Sequence, residues 1–204
     1  MERSVTAPLF SGVELSQLVA AWLHGADYMR AAHGAFERGH VEIITGRHDG
    51  FVYLVRCWLT EPALSDEGRW DSQNSTLLHW FPRADDDGAL HDHPWDFRTE
   101  ILAGGYVEYL PPDDWQHGDV SVGPAYATNV AWRMPGDQVL RRAEDLHCVG
   151  ALLRPSVMPG SGDLAGGGCW TRVSTGPRRR DWGFHPPGKA WVPYAEFLAK
   201  NETA

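Results

Sequence analysis

Cysteine, long apolar runs and excess positive charge are all scarce in this sequence of 204 residues. Its three cysteines, Cys57, Cys148 and Cys169, are too few and too scattered for a disulfide framework or a cysteine-rich zinc site, so we expect reduced thiols in the core. No stretch approaches the roughly 20 consecutive apolar residues of a membrane-spanning helix. The N-terminus also lacks the basic-then-apolar pattern of a signal peptide. These absences predict a cytoplasmic protein without a membrane partner.

The charge balance is acidic. Aspartate and glutamate number 27 against 18 lysines and arginines, which gives a formal net charge of −9. Such a chain has no general attraction for phosphate backbones. We therefore expect no nucleic-acid partner and look instead for a small-molecule substrate, with a homodimer left open.

Tryptophan, glycine and proline are abundant, at ten, 22 and 14 residues. Tryptophan is large and keeps an N–H group that needs a partner, so ten of them suit either a thick β-sheet core or an aromatic-lined cavity. The core interpretation is the simpler one for most of them.

The apolar pattern changes once along the chain. Residues 12–38 have apolar positions at helical spacing, which predicts one or two helices in an N-terminal helical segment, residues 1–40. From residue 41 onward, short β-branched and aromatic runs alternate with Gly, Pro and Asp clusters, which is typical of an all-β sandwich or barrel. We predict one barrel domain over residues 41–190 and a C-terminal tail over 191–204 that includes a helix. The predicted strand runs are 41–45, 51–60, 75–81, 97–110, 130–133, 138–142, 147–153 and 169–175, with a loop over 155–168.

Two histidines one residue apart, His91 and His93, stand where a loop enters a predicted strand. Alternate side chains of an extended segment share a face, so both imidazoles can point into a barrel and bind one metal ion. The pattern is short, and chance or surface histidines also explain it.

The wider spacing resembles the cupin superfamily, whose motifs have the forms G-x5-H-x-H-x3,4-E-x6-G and G-x5-P-x-G-x2-H-x3-N. His91 and His93 match the histidine pair of the first motif, and Gly105 matches its last glycine. In the second motif, Gly136 matches the opening glycine and His147 the histidine. The resemblance covers about residues 75–153. It implies a single-domain cupin, which is a double-stranded β-helix or jelly-roll barrel, with a metal site at His91, His93 and His147.

The chain departs from the cupin motifs at several positions. Arg98 stands at the glutamate ligand, and a permanently protonated guanidinium cannot bind a metal. Asp96 or Glu100 could supply a carboxylate instead, although a turn cap and a solvated strand residue are their simpler roles. Three histidines alone resemble the thiol dioxygenase branch of the cupins. The remaining departures are Asp85, Arg142, Glu144 and Ala151, which replace a glycine, a proline, a glycine and an asparagine.

Imidazole ligands suit Fe, Zn, Ni and Cu better than Mg or Ca. Three protein ligands leave coordination positions open for a substrate and dioxygen, so Fe(II) is the expected cofactor, with Zn, Ni and Cu as alternatives. We also expect Arg98 to point into the cavity, where it would pair with a carboxylate or hold an anionic substrate.

A second cluster, residues 175–185, contains three consecutive arginines followed by aromatic residues. Arginine can hold a carboxylate or phosphate through two hydrogen bonds, so this cluster yields candidates for binding an anionic substrate, although a solvated turn explains the arginines equally well. His185 is a candidate general base or a plain strand-end histidine, and His79 is either a supporting residue of the metal site or a core histidine. The substrate-binding candidates are Arg98, Arg178, Arg180, Trp182 and Trp95, and the catalytic candidates are Arg98, Asp96 and His185.

These residues predict an Fe(II)-dependent cupin oxygenase, either a dioxygenase or a hydroxylase, that acts on a small anionic metabolite. A metal-dependent isomerase, epimerase or lyase on the same scaffold is the alternative, and a non-catalytic small-molecule-binding cupin is a third. Oxygen consumption separates the first from the other two.

Overall fold

The computed structural model describes residues 27–46, 49–65, 68–85, 89–113, 115, 129–153 and 168–201. Within them the chain forms two helices, α1 (Asp27–Glu37) and α2 (Tyr194–Asn201), and fourteen strands. The strands are β1 (Val41–Thr45), β2 (Val52–Trp58), β3 (Ala63–Leu64), β4 (Trp70–Asp71), β5 (Thr76–Phe81), β6 (Leu90–His91), β7 (Phe97–Ala103), β8 (Tyr106–Leu110), β9 (Asn129–Arg133), β10 (Gln138–Arg141), β11 (Cys148–Leu152), β12 (Cys169–Thr175), β13 (Gly183–His185) and β14 (Val192–Pro193).

Twelve of the strands build two antiparallel layers, and β3 and β4 form a separate two-stranded sheet. The first sheet has six strands in the order β1-β2-β5-β12-β7-β10. The second layer consists of β14-β13-β6 and β11-β8-β9. A bridge between His91 and His147 joins these two groups, since the amide of each donates to the carbonyl of the other at 2.9 and 3.0 Å. The orders β5-β12-β7-β10 and β6-β11-β8-β9 are the two four-stranded sheets of a jelly roll.

Strand alternation determines which side chains enter the barrel. On β7, the buried residues Phe97, Thr99 and Ile101 alternate with Arg98 and Glu100, which lie further out. The opposite face of the first sheet is covered by α1. The amphipathic pattern of that helix buries Met29, Ala32 and Ala35 against a cluster on the outer face of the first sheet, Val55, Cys57, Leu78, Trp80 and Trp170.

The structure confirms the all-β jelly roll and an N-terminal helix. Strands β1 and β12 have the predicted bounds, whereas the predicted run over 97–110 is two strands. They separate at Gly104 and Gly105, whose positive φ angles of 78° and 139° turn the chain. Residues 12–26 of the predicted helical region, and 155–167 of the predicted loop, lie outside the described residues.

The three cysteines are all free and buried, as predicted. Across the described ranges, neither helix has the length and apolar character needed to cross a membrane.

Candidate metal centre

Three histidines converge inside the barrel. One ring nitrogen from each of His91, His93 and His147 lies within 4.8 Å of the others, and no other such group of three metal-binding side chains occurs in the described part of the chain. The ring centroids are 4.8 to 5.1 Å apart. The predicted convergence is therefore confirmed.

The backbone explains why the three rings meet. His91 lies on β6, and His147 comes directly before β11. The two residues form a cross-strand pair, so their side chains project from the same face of the second layer. His93 lies two residues beyond His91, and its amide donates to the carbonyl of Ala143 at 3.0 Å. This bond holds the loop after β6 against the loop before β11.

The distances fit a metal ion. Nε2 of His93 lies 2.8 Å from Nε2 of His147. Two nitrogens that bind one ion at right angles with bonds of roughly 2.1 Å lie about 3 Å apart. The same distance also permits a hydrogen bond between one protonated and one bare nitrogen.

A buried carboxylate orients His147. Oε1 of Glu108 on β8 lies 2.8 Å from Nδ1 of His147, so Nε2 is the nitrogen that faces the other histidines. This is the carboxylate–histidine arrangement that commonly supports a metal ligand. Two arginines neutralise the charge of this carboxylate. Nε of Arg133 is 2.7 Å from Oε2, and Nη2 of Arg141 is 2.5 Å from Oε1.

The state of Glu108 follows from these contacts. Burial alone would raise its pKa, but the hydrogen bond to His147 and the positive charges of Arg141 and Arg133 outweigh burial and lower the pKa to about 2. Glu108 is therefore a fixed anion inside the barrel.

A second carboxylate stands behind His91. Oδ2 of Asp85 is 4.0 Å from Nδ1 of His91 and accepts a hydrogen bond from the amide of Val149 at 2.6 Å. The Tyr53 hydroxyl on β2 donates to Oδ1 of the same carboxylate. Asp85 thus occupies the position of the first motif's opening glycine and serves as a support for the site.

Two of the three histidines, His91 and His93, are neutral at ordinary pH. Burial, followed by the nearby charge of His147, lowers the pKa of His91 from 6.5 to about 4 and the pKa of His93 well below 6.5. A neutral imidazole has the lone pair that metal ligation requires.

Arg98, at the position of the usual glutamate ligand, does not lie where we expected it. Arg98 points away from the barrel interior, is exposed, and donates to Gln138 on β10, so the expectation that it enters the cavity is wrong. Strand alternation is the reason, because its neighbour Phe97 is the inward residue. The Phe97 ring lies 4.5 Å from the His93 ring. Glu100, also on the outer face, pairs with Arg172 at 2.9 Å.

Asp96 is not among the converging side chains. Its Oδ1 accepts the amide of Ala143 at 2.8 Å and its Oδ2 accepts Nη1 of Arg179 at 2.5 Å. This is the capping role given as its simpler alternative, since the carboxylate ties three loops together.

The arginine cluster lies at the surface. Arg178 is exposed and pairs with Asp181 at 3.0 Å. Arg180 pairs at 3.1 Å with Asp92, a fully buried carboxylate that also accepts Trp191 Nε1 and the amide of Gly183. Arg180 therefore neutralises a structural anion, and neither arginine is brought to the three histidines.

The aromatic candidates divide between the two faces of the second layer. Trp182 stacks nearly parallel to His93 at 6.4 Å between ring centroids, and Phe184 lies 5.7 Å from His91. His185 alternates with Phe184, pairs with Leu90, and lies on the other face with its ring 5.4 Å from Trp115, so its ring is not brought to the three histidines. Trp95 is half-buried in the loop after β6.

Sequence reasoning missed Glu108, Arg133 and Arg141. The signal was one charged residue at an inward position in each of β8, β9 and β10, but it becomes visible only when the strand phase is known.

Comparisons with known proteins give structural likenesses only. No protein-family model matches this chain, and no curated protein matches it in sequence. The chain is similar in structure to hydroxypropylphosphonic acid epoxidase from S. wedmorenis, with 13% identity, a TM-score of 0.37, and coverage of 67% of this chain and 56% of that enzyme's chain. It thus spans little more than half of the epoxidase.

Two further solved structures are similar to this chain. DMSP lyase DddQ from Ruegeria pomeroyi is 13% identical, with a TM-score of 0.38 and coverage of 69% of this chain and 55% of the lyase. KdgF from Halomonas sp. is 16% identical, with a TM-score of 0.35 and coverage of 62% and 82%. With TM-scores below 0.5, none of these likenesses assigns a reaction to this chain.

The strand order of this chain, together with histidines at the end of β6 and just before β11, decides the type of barrel. The fold is that of a cupin. The cupin barrel brings together three histidines that could hold a metal ion, with Glu108 and Asp85 behind them.

Proposed function

We propose that this cupin is a mononuclear Fe(II)-dependent oxygenase that acts on a small anionic metabolite. The observation that carries the proposal is the all-imidazole group of His91, His93 and His147 inside the barrel. Neutral imidazoles suit Fe(II), and also Zn, Ni and Cu, and three of them leave coordination positions for other ligands. When bound, Fe(II) supplies the redox chemistry that couples dioxygen to oxidation of a substrate.

The protein's own residues hold and enclose this centre. Glu108 fixes the ring orientation of His147, and Asp85 stands behind His91. The apolar rings of Phe97 and Phe184 lie against the histidines, where they keep water from that side of the centre.

The two carboxylates beside the histidines are poorly placed to act as bases, which favours an oxidation over a proton-transfer reaction. An isomerase or lyase needs a base that can take a proton from the substrate. Both carboxylates found beside the histidines in the described ranges are already engaged, Glu108 by two arginines and Asp85 by Tyr53 and a backbone amide. A reaction driven by the metal and dioxygen does not depend on such a base.

The test begins with metal content. Protein purified without oxygen and loaded with Fe(II) should bind about one ion per chain, and His147→Ala should bind it much more weakly because two neutral ligands hold an ion poorly. His33→Ala, a change to an exposed histidine on α1, is the matched control and should bind normally.

Oxygen uptake is then measured with candidate amino-acid, thiol and aromatic acid substrates, with product analysis alongside. We expect oxygen consumption to match substrate loss, and His147→Ala to abolish both. Turnover of the true substrate at the aerobic rate under strict anaerobiosis would sink the oxygenase proposal and favour the isomerase or lyase alternative.

A further inference from the structure

Three polar side chains form a row across the inner face of the first sheet. Arg56 on β2 is the cross-strand partner of His79 on β5, and His79 is the partner of Thr171 on β12. Directly paired residues share a face. None of the three belongs to the metal centre described above.

Register shows that this face looks into the barrel. Thr171 pairs with Ile101 on β7, which alternates in phase with Phe97. The Phe97 ring lies against His93. The row Arg56–His79–Thr171 therefore shares its face with a residue whose ring lies against His93 and near His147.

The row is short of hydrogen-bond partners. Nε of Arg56, Nε2 of His79 and Oγ1 of Thr171 are all buried, and none has a partner among the described residues. Buried polar groups are nearly always paired, so three unpaired ones in a single row indicate that a bound molecule completes them.

Strand β2 connects the row to the metal centre. Tyr53, three residues before Arg56, donates to the Asp85 carboxylate behind His91.

Arg56 can bind an anion at this position. One terminal nitrogen, Nη1, lies 3.3 Å from the half-exposed carboxylate of Glu42, which leaves the Nε edge of the planar guanidinium for another acceptor. The two N–H groups of such an edge can donate hydrogen bonds to both oxygens of a carboxylate.

We propose that the row Arg56–His79–Thr171 binds the substrate beside the histidine centre, with Arg56 holding a carboxylate and Thr171 a hydroxyl or carbonyl further along the molecule. Neighbouring strands are about 4.8 Å apart, so the backbones of Arg56 and Thr171 are separated by roughly 10 Å, a gap that the long Arg56 side chain shortens. His79, between them, offers a further donor or acceptor. The substrate class is a small organic acid with a second polar group. This inference deepens the proposed function but concerns binding alone.

Two probes test the proposal by calorimetry: butyrate, which has only the carboxylate, and γ-hydroxybutyrate, which adds a hydroxyl. Protein loaded with Zn(II), which cannot turn over by redox chemistry, is compared with chelator-treated protein. Both forms should bind both probes, because the row does not need the ion. Binding that persists without metal supports the row even if the oxygenase proposal fails.

Arg56→Gln should weaken binding of both probes by about tenfold or more, because it removes a charge-assisted hydrogen bond. Arg172→Gln is the matched control: Arg172 lies next to Thr171 on the outer face, paired with Glu100, and its loss should change neither affinity. Thr171→Val should reduce the affinity for γ-hydroxybutyrate to that for butyrate and leave butyrate binding unchanged. Melting temperatures verify that each variant is folded, and Arg56→Lys, which keeps the charge without the planar edge, replaces Arg56→Gln if that variant unfolds.

Three results would overturn the proposal. The first is that butyrate fails to bind wild-type protein over the millimolar range. The second is that the Arg56 and Arg172 variants bind butyrate equally well. The third is that γ-hydroxybutyrate has no advantage over butyrate in the wild type, or keeps that advantage in Thr171→Val.

Discussion

At the scale of single residues, the most consequential side chain of the centre is Glu108. It is almost wholly buried, and three side chains, Arg133, Arg141 and His147, all contact its carboxylate. Removing one member of a buried ionic group leaves the other charges uncompensated. The resulting loss of stability is larger than the net stability that the intact group contributes.

We expect Glu108→Gln to lower the free energy of unfolding by about 3 kcal/mol, because the buried Arg141 and the partly buried Arg133 lose their anion. Metal affinity should fall by about 10- to 100-fold, since His147 loses its orienting acceptor. Urea unfolding and competition with a metal-binding dye measure the two effects. Glu100→Gln, which breaks the outer pair with Arg172, should cost less than about 1 kcal/mol and leave metal affinity unchanged. Equal metal affinity in the two variants would contradict the assigned role.

His79 gives a prediction for pH. Burial, with a smaller contribution from the charge of Arg56, lowers its pKa from 6.5 to about 3. The unfolded chain therefore takes up this proton at a higher pH than the folded protein does. The stability due to neutral His79 is fully present above pH 6.5 and is lost as the pH falls toward about 3.

The free energy of unfolding should therefore decline less steeply between these pH values in His79→Gln than in the wild type. Urea unfolding at a series of pH values measures the slope. His33→Gln, at an exposed position on α1, should keep the wild-type slope. If both variants retain that slope, His79 is not held neutral by the fold.

At the scale of secondary structure, the two glycines that match the cupin motifs serve different purposes. Both have positive φ angles, 139° at Gly105 and 96° at Gly136. A Cβ at Gly105 would lie 2.6 Å from the carbonyl oxygen of Arg133, whereas a Cβ at Gly136 would meet nothing within 4 Å. Gly105 therefore permits the close approach of β8 and β9, and Gly136 only permits a turn.

Gly136→Ala should cost about 1 kcal/mol of stability, which is the penalty of the left-handed backbone alone. Gly105→Ala should cost about 3 kcal/mol, because the clash adds to the backbone penalty. It should also weaken metal binding by displacing Arg133 from Glu108. Thermal unfolding and the dye competition assay compare the two variants. Similar losses in both would show that the approach of β9 to Gly105 is not tight.

The longer strands could be predicted from the sequence because β-branched and aromatic runs ended at Gly, Pro and Asp. Strands β3, β4, β6 and β14 have only two residues each, too few to show alternation, and they exist because a neighbouring strand pairs with them. The histidine centre was predictable through spacing. Its supporting residues were not, because Glu108, Arg133 and Arg141 come from three strands whose inward phase depends on the whole barrel.

At the scale of the whole molecule, a bound ion should stabilise the fold. An ion that binds only the folded chain, at a hundredfold excess over its Kd, adds about 2.7 kcal/mol. For a chain of this size we expect Tm to rise by about 5 °C or more on addition of Zn(II). His33→Ala should show the same rise and His147→Ala almost none. A rise of equal size in His147→Ala would place the ion elsewhere.

The backbone pairing of His91 with His147 has a consequence for how an ion would leave. Within the described residues this pair is the bridge between β6 and β11, so the ring nitrogens and the peptide groups of the same two residues lie on one seam of the second layer. Strands β13 and β14 are attached to the barrel through β6. Rotating one imidazole would not free an ion held by all three histidines. Breaking the backbone pairing between β6 and β11 would separate His91 from His147 and so remove two ligands at once. The lifetime of the bound ion should therefore follow the rate of local opening, which amide hydrogen exchange at His91 and His147 reports.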